Sequence, residues 1–151
     1  MRLIEIGFSL LANLSLLNSN VEKISNCHGN EFVIEMLTLH SHKSSSVAEQ
    51  GLRAVANLSI DHKSFFGDLG VCNIVINLLK LHLTDNSTYN ENLSIQISIT
   101  IFNLTSKESK NKERFIQLHA VNELMALLQN RNLTTHARKE IKEAINNIRY
   151  H

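Results

Sequence analysis

Apolar residues fall along the chain in runs at helical spacing, separated by short polar stretches. Leu3, Leu10, Leu14 and Leu17, widened by Ile6 and Phe8, predict a first helix over 3–17, because residues three, four and seven apart share one face of an α-helix. Asn18-Ser19-Asn20 ends it and offers a cap to the next element. A short helix over 20–27 then closes near Gly29, and a second over 30–40 turns Phe32, Val33, Met36, Leu37 and Leu39 inward. Beyond the polar loop 42–46 comes a long helix over 46–60. The same order recurs as 62–69, 71–83 and 93–105, and again as 109–119, 121–130 and 134–149. The longest loop, TDNSTYNEN, lies at 84–92, and no proline interrupts any of these helices.

Each long helix closes on a similar triplet: Asn13-Leu14-Ser15, Asn57-Leu58-Ser59, Asn103-Leu104-Thr105 and Asn147-Ile148-Arg149. The asparagines are 44, 46 and 44 residues apart, a period that signals stacked helical units. The chain divides on this period into a lone helix at 1–17 and units at 18–60, 61–106 and 107–151, together one domain. Gly7 and Gly51 stand six residues before their asparagines, where a missing side chain allows close approach of helices, and Ile97 and Ile141 fill that slot later.

Composition narrows the function classes. Apolar residues make up 43% of the chain and charged residues 19%, and without tryptophan the core is aliphatic. A formal charge of +1 lacks the clustered basic excess of a nucleic-acid binder. No apolar run is long enough to span a bilayer, so no membrane partner is expected. The N-terminal run MRLIEIGFSLLANLS has the look of a secretory signal, but Glu5 breaks it and it aligns with the repeating unit. Cys27 and Cys72, 45 residues apart, are expected at one place in successive units, too far apart for a disulfide and buried as small hydrophobes. That usage points to a reducing compartment, the cytoplasm or the nucleus.

Units of short, medium and long helix, spaced 44 to 46 residues and closed by Asn-Leu-Ser or Asn-Leu-Thr, resemble the armadillo repeat over essentially the whole chain. The resemblance implies an all-α fold, an armadillo-like right-handed superhelix (an α-α solenoid) of about three complete repeats after an N-terminal half-repeat. It also implies a non-enzymatic protein-protein interaction module and scaffold, with an extended partner segment lying in a concave groove lined by the third helices. In family members that bind extended peptides, the repeated asparagine hydrogen-bonds the peptide backbone, a task for which a carboxamide offers both donor and acceptor. An asparagine near a helix end can equally satisfy the last carbonyls of its own or a neighbouring helix.

Residues at four, seven and eleven positions before each asparagine share its face. They give a candidate groove of Gln50, Arg53, Asn57, Gln96, Ile99, Asn103, Glu140, Glu143 and Asn147, with Asn13 at its end. Members that bind nuclear localisation signals carry a tryptophan four before the asparagine; Ser9, Arg53, Ile99 and Glu143 stand there in this chain. The expected ligand is therefore a peptide of mixed charge, its acidic group near Arg53 and its basic group near Glu140 and Glu143.

The N-terminal helix suggests a rival role, a structural assembly unit that is either a fragment of a longer array or self-associates through an uncovered edge at Ile4, Phe8 and Leu11 with Leu16 beside them. Another is a small-GTPase regulator of the armadillo class, which binds a folded partner. Six Asn-x-Ser/Thr sequons, at Asn13, Asn57, Asn86, Asn92, Asn103 and Asn132, follow from the composition and the triplet rather than from glycosylation. His40-Ser41-His42 lacks further ligands at metal-binding spacing, so neither metal nor cofactor is expected. No nucleophile elbow, phosphate-binding loop, HExxH or CxxC occurs. KESKNKER at 107–114 reads as a solvated turn and short helix.

Overall fold

A computed structural model describes residues 2–84 and 90–150, whose regular structure is helical throughout, α-helices with one short 3-10 helix at Ser41–Lys43 and no strand among the described residues. Short helices α2 (Asn18–Asn26), α5 (Lys63–Asp68) and α8 (Ser109–Gln117) alternate with medium helices α3 (Gly29–His40), α6 (Val71–Thr84) and α9 (Ala120–Leu127). The long helices are α1 (Arg2–Leu14), α4 (Ser45–Leu58), α7 (Glu91–Thr105) and α10 (Thr135–Arg149). Element type and order follow the apolar pattern throughout; α1 stops three residues short of the expected end and α4 two. Asn86 and the middle of the loop 84–92 lie outside the described residues.

Local chemistry fixes where the long helices begin. Ser44, Asn90 and Thr134 are extended N-caps whose side chains accept from the backbone N–H of Val47, Leu93 and Ala137. Each cap stands thirteen residues before the asparagine of its own triplet. The turn from short to medium helix is also uniform. His28, Gly70 and His119 occupy the left-handed region at φ 57°, 82° and 58°, and each donates its N–H at 3.0 Å to the carbonyl three residues back. Glycine meets that geometry at least cost; the two histidines adopt it under the same hydrogen bond.

The long helices pack side by side in the order α1, α4, α7, α10, and the medium helices α3, α6 and α9 form a second row against them. Between the rows runs one aliphatic core, with Leu37, Leu52, Leu79, Ile97, Leu124 and Ile141 almost wholly buried. Gly51 sits where this packing is tightest: a Cβ there would lie 2.3 Å from Leu37 Cδ1 and 3.1 Å from the Phe8 ring. The matching Gly7 meets nothing within 4 Å, so the expectation of close approach holds at Gly51 and fails at Gly7.

Several expected orientations are corrected. Phe8 is only 2% exposed, because its ring fills the space over Gly51, and Ile4 and Leu11 are half-buried against the core. The exposed apolar residues of α1 are instead Leu3, Ile6, Leu10 and Leu14. Phe32 and Leu39 point outward, leaving Val33, Ile34 and Leu37 as the buried face of α3. The 107–114 segment is more than a solvated turn. Asn111 is fully buried and donates to the carbonyls of Lys63 and Leu104, Lys112 is buried, and Arg114 bonds both Asn111 and Asp68.

The cysteines also differ from expectation. Both are free, but Cys27 is exposed at the end of α2, whereas Cys72 is buried in the first turn of α6. Burial pushes the Cys72 thiol up to about 12, against a smaller downward pull from Arg114. A thiol-reactive chromogen should therefore titrate Cys27 alone in the native protein and both thiols after denaturation; rapid native reaction of two thiols would contradict this burial.

Candidate functional site

The candidate face is built at the junctions between long helices. In the first triplet the Ser15 hydroxyl donates to Ala12 O at 3.0 Å, and Asn57 Nδ2 from the next helix donates to the same oxygen at 2.8 Å. One layer on, Ser59 Oγ and Asn103 Nδ2 share Ala56 O at 3.3 and 3.2 Å. In the next, Asn147 Nδ2 donates to Phe102 O at 3.3 Å and to Thr105 Oγ1 at 2.7 Å, while the Thr105 hydroxyl itself donates to Ile101 O at 2.7 Å. Helix ends leave carbonyls without intrahelical donors. Here Ala12 O and Ala56 O are each satisfied from two sides, by the serine of their own triplet and by the next asparagine, whereas Phe102 O takes the backbone N–H of Ser106 at 2.9 Å together with the next asparagine.

These bonds show the neighbouring-helix alternative for the asparagines at work and fix the helices as parallel neighbours. Contacts at the opposite ends agree: Ser46 Oγ donates to Glu5 Oε1 at 2.6 Å, and Thr134 N donates to Glu91 Oε1 at 2.7 Å. Midway, Thr100 Oγ1 donates to Leu52 O at 3.3 Å.

All nine candidate residues, Gln50, Arg53, Asn57, Gln96, Ile99, Asn103, Glu140, Glu143 and Asn147, are half-buried, and they lie on consecutive helices. Arg53 Nη2 donates to Asn13 Oδ1 at 2.5 Å, so the cation is anchored to the preceding helix. Gln50 donates to Glu49 at 3.3 Å, while its buried Oε1 has no hydrogen-bond partner. On α10, Glu140 lies 3.7 Å from His136 and Glu143 lies 3.7 Å from Lys139. The carboxamide oxygens of Asn57, Asn103 and Asn147 accept no hydrogen bond among the described residues, so each retains an acceptor for an incoming N–H.

At the C-terminal end of this face a cleft of about 600 Å³ is lined by Phe102, Glu143, Asn146, Asn147 and Tyr150. Sequence reasoning missed its two rings. Phe102 takes the place that buried Ala12 and Ala56 hold in the earlier triplets, so the period implied burial; it is 37% exposed. Tyr150 lies just past the end of α10 and is 60% exposed. The one available signal was the change from alanine to a ring at that position.

A second cavity, of about 320 Å³, lies at the far end of the long helices among Ser44, Ala48, Leu78, His82 and Leu93. Two of its polar groups serve the fold, since Ser44 caps α4 and His82 Nε2 lies 2.9 Å from Ser94 Oγ; His42 and Lys43 also line it. Among the described residues no three His, Cys, Asp or Glu side chains gather at metal-binding distance. No described helix is long and apolar enough to cross a membrane.

The fold is similar to that of a crystal structure of an engineered protein, with a TM-score of 0.71 at 20% sequence identity, over 92% of this chain and 53% of that one. The chain thus spans about half the length of that structure, and at this identity the likeness concerns the fold alone. No family model matches the sequence, and neither does any curated protein.

Two measurements test this description. Asn103→Ala, which removes a layer-to-layer bond, should cost about 1 kcal/mol in denaturant unfolding. Asn13→Ala should stay within about 0.5 kcal/mol, since its bond to Arg53 is exposed. The second concerns Glu49, whose carboxyl is pushed above its ordinary range by burial, with Arg53 and Asn90 pulling it back and Glu5 adding to the rise. A raised folded value means that the stability present below the unfolded value of 4.5 is lost as pH climbs through the folded one. The stability of Glu49→Gln relative to wild type should accordingly improve between about pH 4 and pH 7; a flat difference would show that Glu49 titrates alike in both states.

Proposed function

We propose that the chain is an armadillo-like array, a non-enzymatic binding module whose α4, α7 and α10 present a groove to an extended polypeptide segment. The observation that carries this reading is the row of nine half-buried side chains on parallel helices, with its unpaired carboxamide oxygens. Acceptors repeated once per layer suit a ligand with regularly spaced backbone N–H groups. The aromatic cleft adds side-chain recognition: the Phe102 and Tyr150 rings beside the Glu143 carboxylate suit a basic side chain, whose stem packs on a ring while its charge meets the acid. Arg53 at the other end suits an acidic one. The ligand is thus a segment of mixed charge, its acidic residue toward α1 and its basic residue toward α10.

The asparagines are poor positions for testing this, since they also hold the layers together. A better variant combines Arg53→Glu with Glu143→Lys, which inverts the charge at both ends and leaves the Asn57, Asn103 and Asn147 bonds between layers in place, losing only the exposed Arg53–Asn13 bond. Peptide-library selection should yield a mixed-charge consensus on wild type that is lost or charge-inverted on the variant. Selection of the same peptides by both proteins, or of none by either, would remove the groove as the working surface.

A further inference from the structure

The start of α4 is served unevenly on its two flanks. Its first turn offers backbone N–H groups that no carbonyl of its own helix can satisfy. Toward α1 the chain supplies a carboxylate, since Ser46 Oγ donates to Glu5 Oε1, and Glu91 stands in the same way at Thr134 N, at the start of α10. The other flank opens on the cavity of about 320 Å³ that Ser44 and Ser45 line. A second cavity, of about 360 Å³, adjoins it and shares Ser41, His42, Leu78 and Leu81. This open space coincides with one small residue. Nine residues before their asparagines, α7 has Ser94, engaged by His82, and α10 has Arg138, which donates to the carbonyls of Leu128 and Asn130. In α4 that position is Ala48, on the cavity wall.

The groups around this space are donors in want of an acceptor. Ser41 is only 6% exposed and lines both cavities, yet its hydroxyl makes no hydrogen bond among the described residues. A buried hydroxyl is seldom left so, because desolvation without a partner is unfavourable. Lys43 lines the first cavity, is exposed, and has no ion pair among the described residues. The carbonyl of Leu81, on the same wall, is already taken by the Thr84 hydroxyl at 2.9 Å. No acidic side chain is among the described residues lining either cavity. Several donors and a cation at one helix start suit a phosphate, whose three strong acceptor oxygens and nearly two negative charges answer more of them than a carboxylate can. Beside them Ile74, Leu78 and Leu81 give the second cavity an apolar wall.

We propose that the two cavities form a binding site for a small phosphate monoester. Its phosphate is received by the Ser45 N–H, the Ser41 hydroxyl and the Lys43 ammonium, and its apolar body lies over Ile74, Leu78 and Leu81. The site shares no residue with the groove, so either can fail without the other.

Amide NMR titrations of the whole chain at constant ionic strength test it, with phenyl phosphate, inorganic phosphate and phenol as probes. Phenyl phosphate should shift the Ser45 amide and saturate with a Kd at or below about 1 mM. Inorganic phosphate, which leaves the apolar wall bare, should bind at least about tenfold more weakly. Phenol, without the charge, should not move Ser45. Ser41→Ala and Lys43→Ala should each weaken phenyl phosphate by at least about fivefold. Ser41→Ala should leave the unliganded chain as stable as wild type, since the hydroxyl it removes has no partner to lose. No saturable response to phenyl phosphate by about 10 mM, equal affinity for inorganic phosphate, a matching response to phenol, or undiminished binding in either variant would each overturn the proposal.

Discussion

The arrangement depends on one backbone oxygen per layer. Each long helix ends with carbonyls that its own turns cannot satisfy. The carbonyl just before each of the first three triplets accepts from the asparagine of the next helix; its other donor is the serine two residues past its own asparagine at Ala12 and Ala56, and the backbone N–H of Ser106 at Phe102. The asparagine bond sets the register of the neighbouring helix. A slip of the next helix by one residue would turn its asparagine about 100° away, costing this bond together with the apolar contacts beneath it. The last triplet, Asn147-Ile148-Arg149, lacks the hydroxyl, and no described helix lies beyond it to be positioned.

Register in turn decides which side chains meet. It brings Phe8 over Gly51, ties Arg53 to Asn13, and sets the candidate residues of α4, α7 and α10 at matching heights. The face is polar because the layers need their apolar residues on the other side. It is ordered because its polar groups are already half engaged, Arg53 with Asn13 and Glu143 with Lys139.

Much of this was legible in the sequence, because helix type and order depend on local apolar spacing and on caps. The triplet was legible as a period, but its task was not: spacing alone treats an asparagine that bonds a neighbouring helix and one that awaits a ligand alike. The exposed side of α1 was misjudged for a related reason. Leu3, Ile4, Ile6, Phe8, Leu10 and Leu11 surround the helix with apolar groups, and periodicity cannot choose among them. The cysteines were aligned on an average period, but the medium helices begin at Gly29, Val71 and Ala120, where loop lengths differ. Asn30, and not Cys27, is the counterpart of Cys72 in its helix, and both are buried. Phe102 escaped because a period predicts sameness, and the cleft exists where one layer departs from it.

Because every layer-to-layer bond runs only to an adjacent layer, cooperativity in this molecule is short-ranged. α4 and α7 are held from both sides, whereas α10 is held by α7 and by the short and medium helices of its own unit. Arrays wired in this way behave as a chain of coupled switches, in which the coupling between neighbours, more than the strength of any one unit, keeps the whole from coming apart piecemeal. The asparagine bond is part of that coupling. It joins sites more than forty residues apart in sequence through a single shared oxygen, so a disturbance at one junction reaches the next layer at once and fades with each layer beyond it.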